Sequence, residues 1–140
     1  MKATVRSIEY FYTTVKQSAS EASRLLSEIA AAGVNLLAFS AIPFGPEHTQ
    51  LVLFPDNVEK LARAAENLGL VLVGPEKAFL VQGDDRLGAI AEIYGKLAEA
   101  DVEVYASTGV TDGRGGFGYV IYVRPLGFER AAHALGVVTS

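Results

Sequence analysis

Apolar positions recur with helical spacing in four places along the chain. Between Ser18 and Ala32, residues Ala22, Leu25, Leu26 and Ile29 stand at i, i+3, i+4 and i+7, the stripe of an amphipathic helix. Ser18 and Glu21 have capping-box spacing at its start, and Gly33 marks its end. Asp56 and Glu59 repeat that spacing ahead of Val58, Leu61, Ala62, Ala65 and Leu68, with Gly69 as the stop. A third stripe, Leu87, Ile90, Ala91, Tyr94 and Leu97, follows Asp84 and Asp85. A fourth, Leu126, Ala131, Ala132 and Leu135, lies between Pro125 and Gly136. Strand-like runs fill the intervals, at 10–15, 34–42, 49–54, 70–73, 78–82, 102–110 and 119–123, with a short pair at Val137 and Val138.

The predicted order is strand, helix, strand, strand, helix, strand, given twice. Displacing the chain by 68 residues lays Phe11 on Phe79, Ala30 on Ala98, Val34 on Val102, Ala38 on Ala106, Gly45 on Gly113 and Val52 on Val120. A one-residue adjustment then brings 64–69 onto 131–136. The pattern predicts an α+β chain of two tandem ferredoxin-like βαββαβ units, each an antiparallel sheet with both helices on one face. Gly74-Pro75-Glu76 is the expected linker, dividing the chain into 1–74 and 75–140. Several strands are apolar on both sides: Leu51 and Leu53 alternate with Val52 and Phe54, and Tyr119, Ile121 and Val123 with Val120 and Tyr122. Such strands are buried on both faces. The second face is therefore expected to pack against another sheet, most simply in a homodimer.

Composition narrows the chemistry. In 140 residues, 50% are apolar and 20% charged, a globular composition with a high mean hydropathy of +0.27. Without cysteine there is no disulfide framework, thiolate metal site or cysteine nucleophile. No apolar run approaches the roughly 18–20 residues of a membrane span. The N-terminal stretch has a charge but no apolar core of a signal peptide, so a cytoplasmic location is expected. Sixteen acidic against twelve scattered basic residues, a net charge of −4, argue against a general grip on nucleic acid. His48 and His133 are the only histidines, and neither has a second donor at metal-ligand spacing. The run Gly113-Arg114-Gly115-Gly116-Phe117-Gly118 fits G-x-G-x-x-G, but it precedes a strand where the dinucleotide fingerprint precedes a helix. It is expected to be a hairpin turn. Asp84 and Asp85 are adjacent, so their side chains diverge, and aspartate is common at helix starts. No acid, base and nucleophile converge, and no catalytic activity, metal or cofactor is expected.

The segment 83–88, Gly-Asp-Asp-Arg-Leu-Gly, joins a strand to a helix, with Gly88 expected inside the first turn, where helix propensity disfavours it. Its bareness either admits a small anion to the helix's orphan N–H groups or permits close helix packing. The stretch Asp85-Arg86-Leu87-Gly88-Ala89-Ile90-Ala91-Glu92-Ile93, followed by Leu97-Ala98-Glu99-Ala100-Asp101-Val102-Glu103-Val104, resembles the start of an ACT domain, in which D-R-P-G opens the helix. Ala32-Gly33-Val34-Asn35-Leu36 supplies the G-V-N-I element of the same pattern in the first half.

That resemblance covers nearly the whole chain as two copies and implies a regulatory module, without a catalytic domain, that binds an amino acid between paired domains. The ligand loop it implies is Asp84, Asp85, Arg86, Leu87 and Gly88, with Asn35 facing it from the other copy. Leu87 stands where the pattern has proline, Ser20 where the first copy would need glycine, and Glu103 where the second would need asparagine. One composite site is therefore expected. Arg86 and the helix N–H groups would receive a carboxylate, and Asp84 or Asp85 an ammonium. Two functions stay open: a sensor of an amino acid or similar metabolite acting on a metabolic enzyme, and a ligand-free interaction module or regulatory subunit.

Overall fold

The computed structural model describes residues 3–137. Its elements are β1 (Thr4–Lys16), α1 (Ala19–Ala31), β2 (Leu36–Phe44), β3 (His48–Pro55), α2 (Val58–Leu68), β4 (Val73–Asp84), α3 (Ala89–Glu99), β5 (Val104–Thr111), β6 (Gly116–Val123), a 3-10 turn (Pro125–Gly127) and α4 (Phe128–Leu135). They divide into two compact units, one spanning Glu9–Glu76 and the other made of the residues on either side of it. The division cuts β1 after Ile8 and β4 after Glu76, so each of these long strands serves both units.

In the Glu9–Glu76 unit the strands lie in the order β2-β3-β1-β4, the antiparallel order of a ferredoxin-like sheet. Phe11 pairs with Leu53, and Ala41 with Leu51. Side chains at paired positions share a face. On one face Phe11, Val15, Leu51 and Leu53 meet Leu25 and Ile29 of α1 and Leu61 of α2. Leu53 and Leu61 are fully buried, and each such leucine contributes about 1.5–3 kcal/mol. The opposite face buries Tyr10, Val52 and Phe54, with the Tyr10 and Phe54 rings 5.1 Å apart.

The other unit orders its strands β1-β4-β6-β5, so its fourth strand is the N-terminal part of β1. Phe79, Val81, Tyr119 and Ile121 form the floor under Ile93 and Leu97 of α3 and Phe128, Ala131 and Leu135 of α4. Phe79 and Phe128 stack at 4.4 Å. The register of β2 on β3 shifts between Leu36 and Ala38, and that of β5 on β6 between Val104 and Ala106, 68 positions later.

Several local expectations change. Gly74, Pro75 and Glu76 lie inside β4 and not in a linker, because the runs at 70–73 and 78–82 merge into one strand beginning at Val73. Val137 is in no strand, and Val138 lies outside the described residues. The α1 cap is as expected, Ser18 Oγ accepting from the Glu21 amide at 3.3 Å. The α2 cap is Asn57, whose Oδ1 accepts from the Lys60 amide at 3.0 Å. Asp56 instead accepts from the Asn35 amide at 3.1 Å and returns its own N–H to the Asn35 carbonyl at 2.8 Å. In α3 the buried residues are Ala89, Ile93 and Leu97, whereas Leu87, Ile90 and Tyr94 of the predicted stripe are exposed. An apolar helix carries two possible stripes, and the sheet it meets selects one. In the last helix Phe128 anchors the core and Leu126 is wholly exposed.

Candidate functional site

The loop 84–88 leaves the end of β4 and enters α3 through Gly88, which lies outside the helix as its N-cap with φ +82°. That left-handed conformation strains any residue with a Cβ, which gives the glycine a backbone reason distinct from the first-turn position expected. Glycine brings no capping side chain, so the first-turn N–H groups of α3 receive no side-chain hydrogen bond, in contrast to α1 and α2. The Ala89 amide turns back to the Arg86 carbonyl at 3.2 Å, and no side chain closes the positive end of the helix dipole there.

Asp85, Arg86, Leu87 and Gly88 line one wall of a groove of about 510 Å³, continued by Ala89, Ile90 and Ala91 of α3. The facing wall is Gly109, Val110 and Thr111 of β5 with Phe117 and Gly118 of β6. Asp84 lies outside it, in a smaller cavity of about 250 Å³ that also touches Arg86, Glu92 and Lys96. Asn35 belongs to the Glu9–Glu76 unit, exposed just before β2, and lines none of these cavities. The structure thus brings 85–88 together, sets Asp84 just outside the groove, and holds Asn35 through Asp56.

Arg86 forms an ion pair with Glu92, and this guanidinium holds the Glu92 carboxyl below the usual range. Tyr94 of α3 and Tyr119 of β6 both bond Ser107 of β5, at 2.8 and 3.1 Å, tying the helix wall to the strand wall. Burial above all pushes the Tyr119 phenol up to about 12, and its hydroxyl donates to Ser107.

Two features escaped the residue pattern. The first is a groove of about 650 Å³ in the Glu9–Glu76 unit, lined by the N-cap Ser18, by Ala19, Ala22 and Ser23 of α1 and by Ala41 and Thr49. Adding 68 to these numbers gives Arg86, Leu87, Ile90, Ala91, Gly109 and Phe117 of the other groove, so the 68-residue offset was the signal that could have located it. Its inner end is apolar, with Leu26, Phe39 and Leu51 where the other unit has Tyr94, Ser107 and Tyr119. The second is a bond from the Asp85 amide to the Gly115 carbonyl at 2.7 Å, matched by Gln17 to Glu47 at 3.0 Å. A main-chain bond between distant turns leaves no mark on residue type.

Among the described residues no group of three or more histidine, aspartate or glutamate side chains could hold a metal ion, and no helix is long and apolar enough to cross a membrane. No family model matches the chain, and no curated protein matches it in sequence. Solved structures do resemble it. Protein BT0572 from Bacteroides thetaiotaomicron aligns over 96% of this chain and 88% of its own, with a TM-score of 0.78 at 15% identity. The regulatory subunit of aspartate kinase from Thermus thermophilus, in its ligand-free form, aligns over 97% and 95% with a TM-score of 0.68 at 12% identity. The equivalent subunit from Thermus flavus aligns over the same shares with a TM-score of 0.62 at 10% identity. At such identities the likeness is one of fold, and the chain has the ACT-like fold of these regulatory subunits.

Proposed function

We propose that this chain is a non-catalytic regulatory protein, built of two ACT-like repeats, that binds an amino acid or a similar small metabolite beside the loop 84–88. The observation that carries the reading is the uncapped start of α3, opened by Gly88 at φ +82° onto a groove of about 510 Å³. A carboxylate suits the first-turn N–H groups and the Arg86 guanidinium. Asp85 offers an acceptor to an ammonium, with Asp84 adjoining. The apolar walls, Ile90 and Val110 among them, suit an aliphatic side chain. The fold shared with aspartate kinase regulatory subunits supports a regulatory role toward a metabolic enzyme. Asn35 is proposed to reach the ligand from a paired copy in a homodimer. Edge strand β2, which exposes Phe39, Ile42 and Phe44, is a natural contact surface for that copy.

Thermal unfolding with each of the twenty proteinogenic amino acids tests the reading. A ligand at a hundred times its dissociation constant adds about 2.7 kcal/mol, a plain rise in melting temperature. Loss of that rise in Gly88→Val, with the melting of the free variant measured alongside, assigns the site. A second reading, a ligand-free interaction module, is favoured by the exposure of Leu87, Ile90 and Val110 around the same groove. Unchanged melting with every amino acid, together with a stable homodimer, would establish it in place of the first.

A further inference from the structure

The glycine-rich run 113–118 lends Phe117 and Gly118 to the strand wall of the groove, while its first residues lie outside the groove and touch the ligand loop. Residues 112–115 form the turn between β5 and β6, and the Gly115 carbonyl accepts the Asp85 amide at 2.7 Å. The turn is itself organised by one side chain. Asp112 Oδ1 accepts from the Arg114 amide at 2.6 Å and from the Gly116 amide at 3.0 Å, while the Asp112 N–H donates to the Gly116 carbonyl at 3.0 Å. The Gly116 N–H shares its peptide unit with the Gly115 carbonyl, so Asp112 Oδ1 holds that unit directly, and the other two bonds fix the turn before and after it. Gly116 leaves room for them, since a Cβ there would come within 2.8 Å of Asp112 Oδ2.

The other unit supplies the contrast. Its β2–β3 turn makes the same link, from the Gln17 amide to the Glu47 carbonyl, but Phe44 stands where the 68-residue offset puts Asp112, so that position brings no carboxylate to the turn. The carboxylate brace occurs in the unit whose helix start is uncapped. The loop's own ties are the Arg86–Glu92 ion pair and the bond from the Ala89 amide to the Arg86 carbonyl at 3.2 Å; with no capping side chain, the Gly115 carbonyl adds an anchor from outside the loop.

We propose that Asp112 is a positioning residue for the loop 84–88: by bracing the 112–116 turn it holds the Gly115 carbonyl against the Asp85 amide, and so sets the backbone donors that face the groove. The part of this proposal that concerns a ligand rests on the sensing function above; the part that concerns the loop does not. The hydrogen bonds from the Arg114 amide first and the Gly116 amide second hold the Asp112 carboxyl below its ordinary pKa, in agreement with a carboxylate that is charged while it braces the turn.

Amide hydrogen exchange by NMR on the full chain tests the loop directly, with Gln17 as an internal reference. In Asp112→Ala the Asp85 amide should exchange about tenfold faster while Gln17 keeps its rate, and Asp112→Asn, which retains Oδ1, should restore most of the protection. Unchanged Asp85 exchange in Asp112→Ala overturns the proposal, as does equal acceleration at Asp85 and Gln17, which would signal general loosening. A binding arm uses whichever of the twenty amino acids raises the melting temperature of the wild type. Its dissociation constant should rise several-fold in Asp112→Ala and return in Asp112→Asn. An unchanged constant despite a loosened Asp85 removes the role toward ligand. If no amino acid shifts the wild type, the sensing function fails, and the exchange comparison still decides what Asp112 does.

Discussion

Replacing Gly88 by alanine separates two structural explanations for this glycine by the sign of the stability change. Position 88 has φ +82°, and a Cβ built there meets nothing within 4 Å, so the cost is purely one of backbone strain. For an L-residue that strain is about 1–2 kcal/mol. Alanine returns about 0.4–1 kcal/mol by restricting the unfolded chain. The net expectation is a loss of roughly 0–1.6 kcal/mol for Gly88→Ala. Asparagine tolerates the left-handed region and adds a capping acceptor, so Gly88→Asn should lie close to the wild type. Had Gly88 occupied the first turn of the helix, alanine would stabilise by up to about 1 kcal/mol. Urea unfolding followed by far-ultraviolet circular dichroism gives the comparison, read as midpoint shifts at constant slope. A Gly88→Ala protein more stable than the wild type would refute the left-handed cap and the open helix start that depends on it.

Other perturbations follow from packing, capping and charge. Leu53→Ala empties a fully buried site between Phe11 and Leu61 and should cost about 2–5 kcal/mol in the same unfolding experiment; a loss under 1 kcal/mol would contradict the core described. Ser18→Ala removes the α1 cap and should cost about 0.5–2 kcal/mol, whereas Ser20→Ala should be nearly neutral. The carboxyls of Glu92 and Asp112 titrate below their ordinary values when folded, so they stabilise the native state fully at neutral pH. That contribution is lost as pH falls below about 4 and through the lowered native values. Urea midpoints from pH 7 downward should therefore fall less in a Glu92→Gln, Asp112→Asn double variant than in the wild type, and parallel curves would dismiss both interactions.

The candidate site was legible in part. Asp85, Arg86, Leu87 and Gly88 stand together on one groove wall, as their contiguity requires, and the irregular choice of glycine at a helix start drew attention to them. The strand wall, Gly109 to Thr111, was not legible, because nothing in a run of small and β-branched residues says which helix terminus it will face. Asp84 and Asp56 show a different limit. Each sits near a helix start and reads as a cap, but one residue further along Asn57 takes that role for α2, and Asp56 turns to Asn35. Residue type is the same either way, and a turn of the backbone decides which group is near.

What the sequence determined by itself is the local and the periodic: four helices, the Ser18 cap, the left-handed stops at Gly69 and Gly136, and apolar runs that repeat after 68 residues. These depend on residues a few positions apart, whose interactions recur wherever the pattern does. Tertiary structure alone decided which strand completes which sheet. The strand β1 is divided after Ile8, and its first residues fill the fourth place in the unit that follows Glu76. It also chose the buried face of α3, taking Ala89, Ile93 and Leu97 and leaving Ile90 and Tyr94 exposed. Both outcomes have one physical cause. Sheet edges and apolar helix faces accept any partner of matching pattern, and the partner is selected by closure of the whole core, which no local window contains.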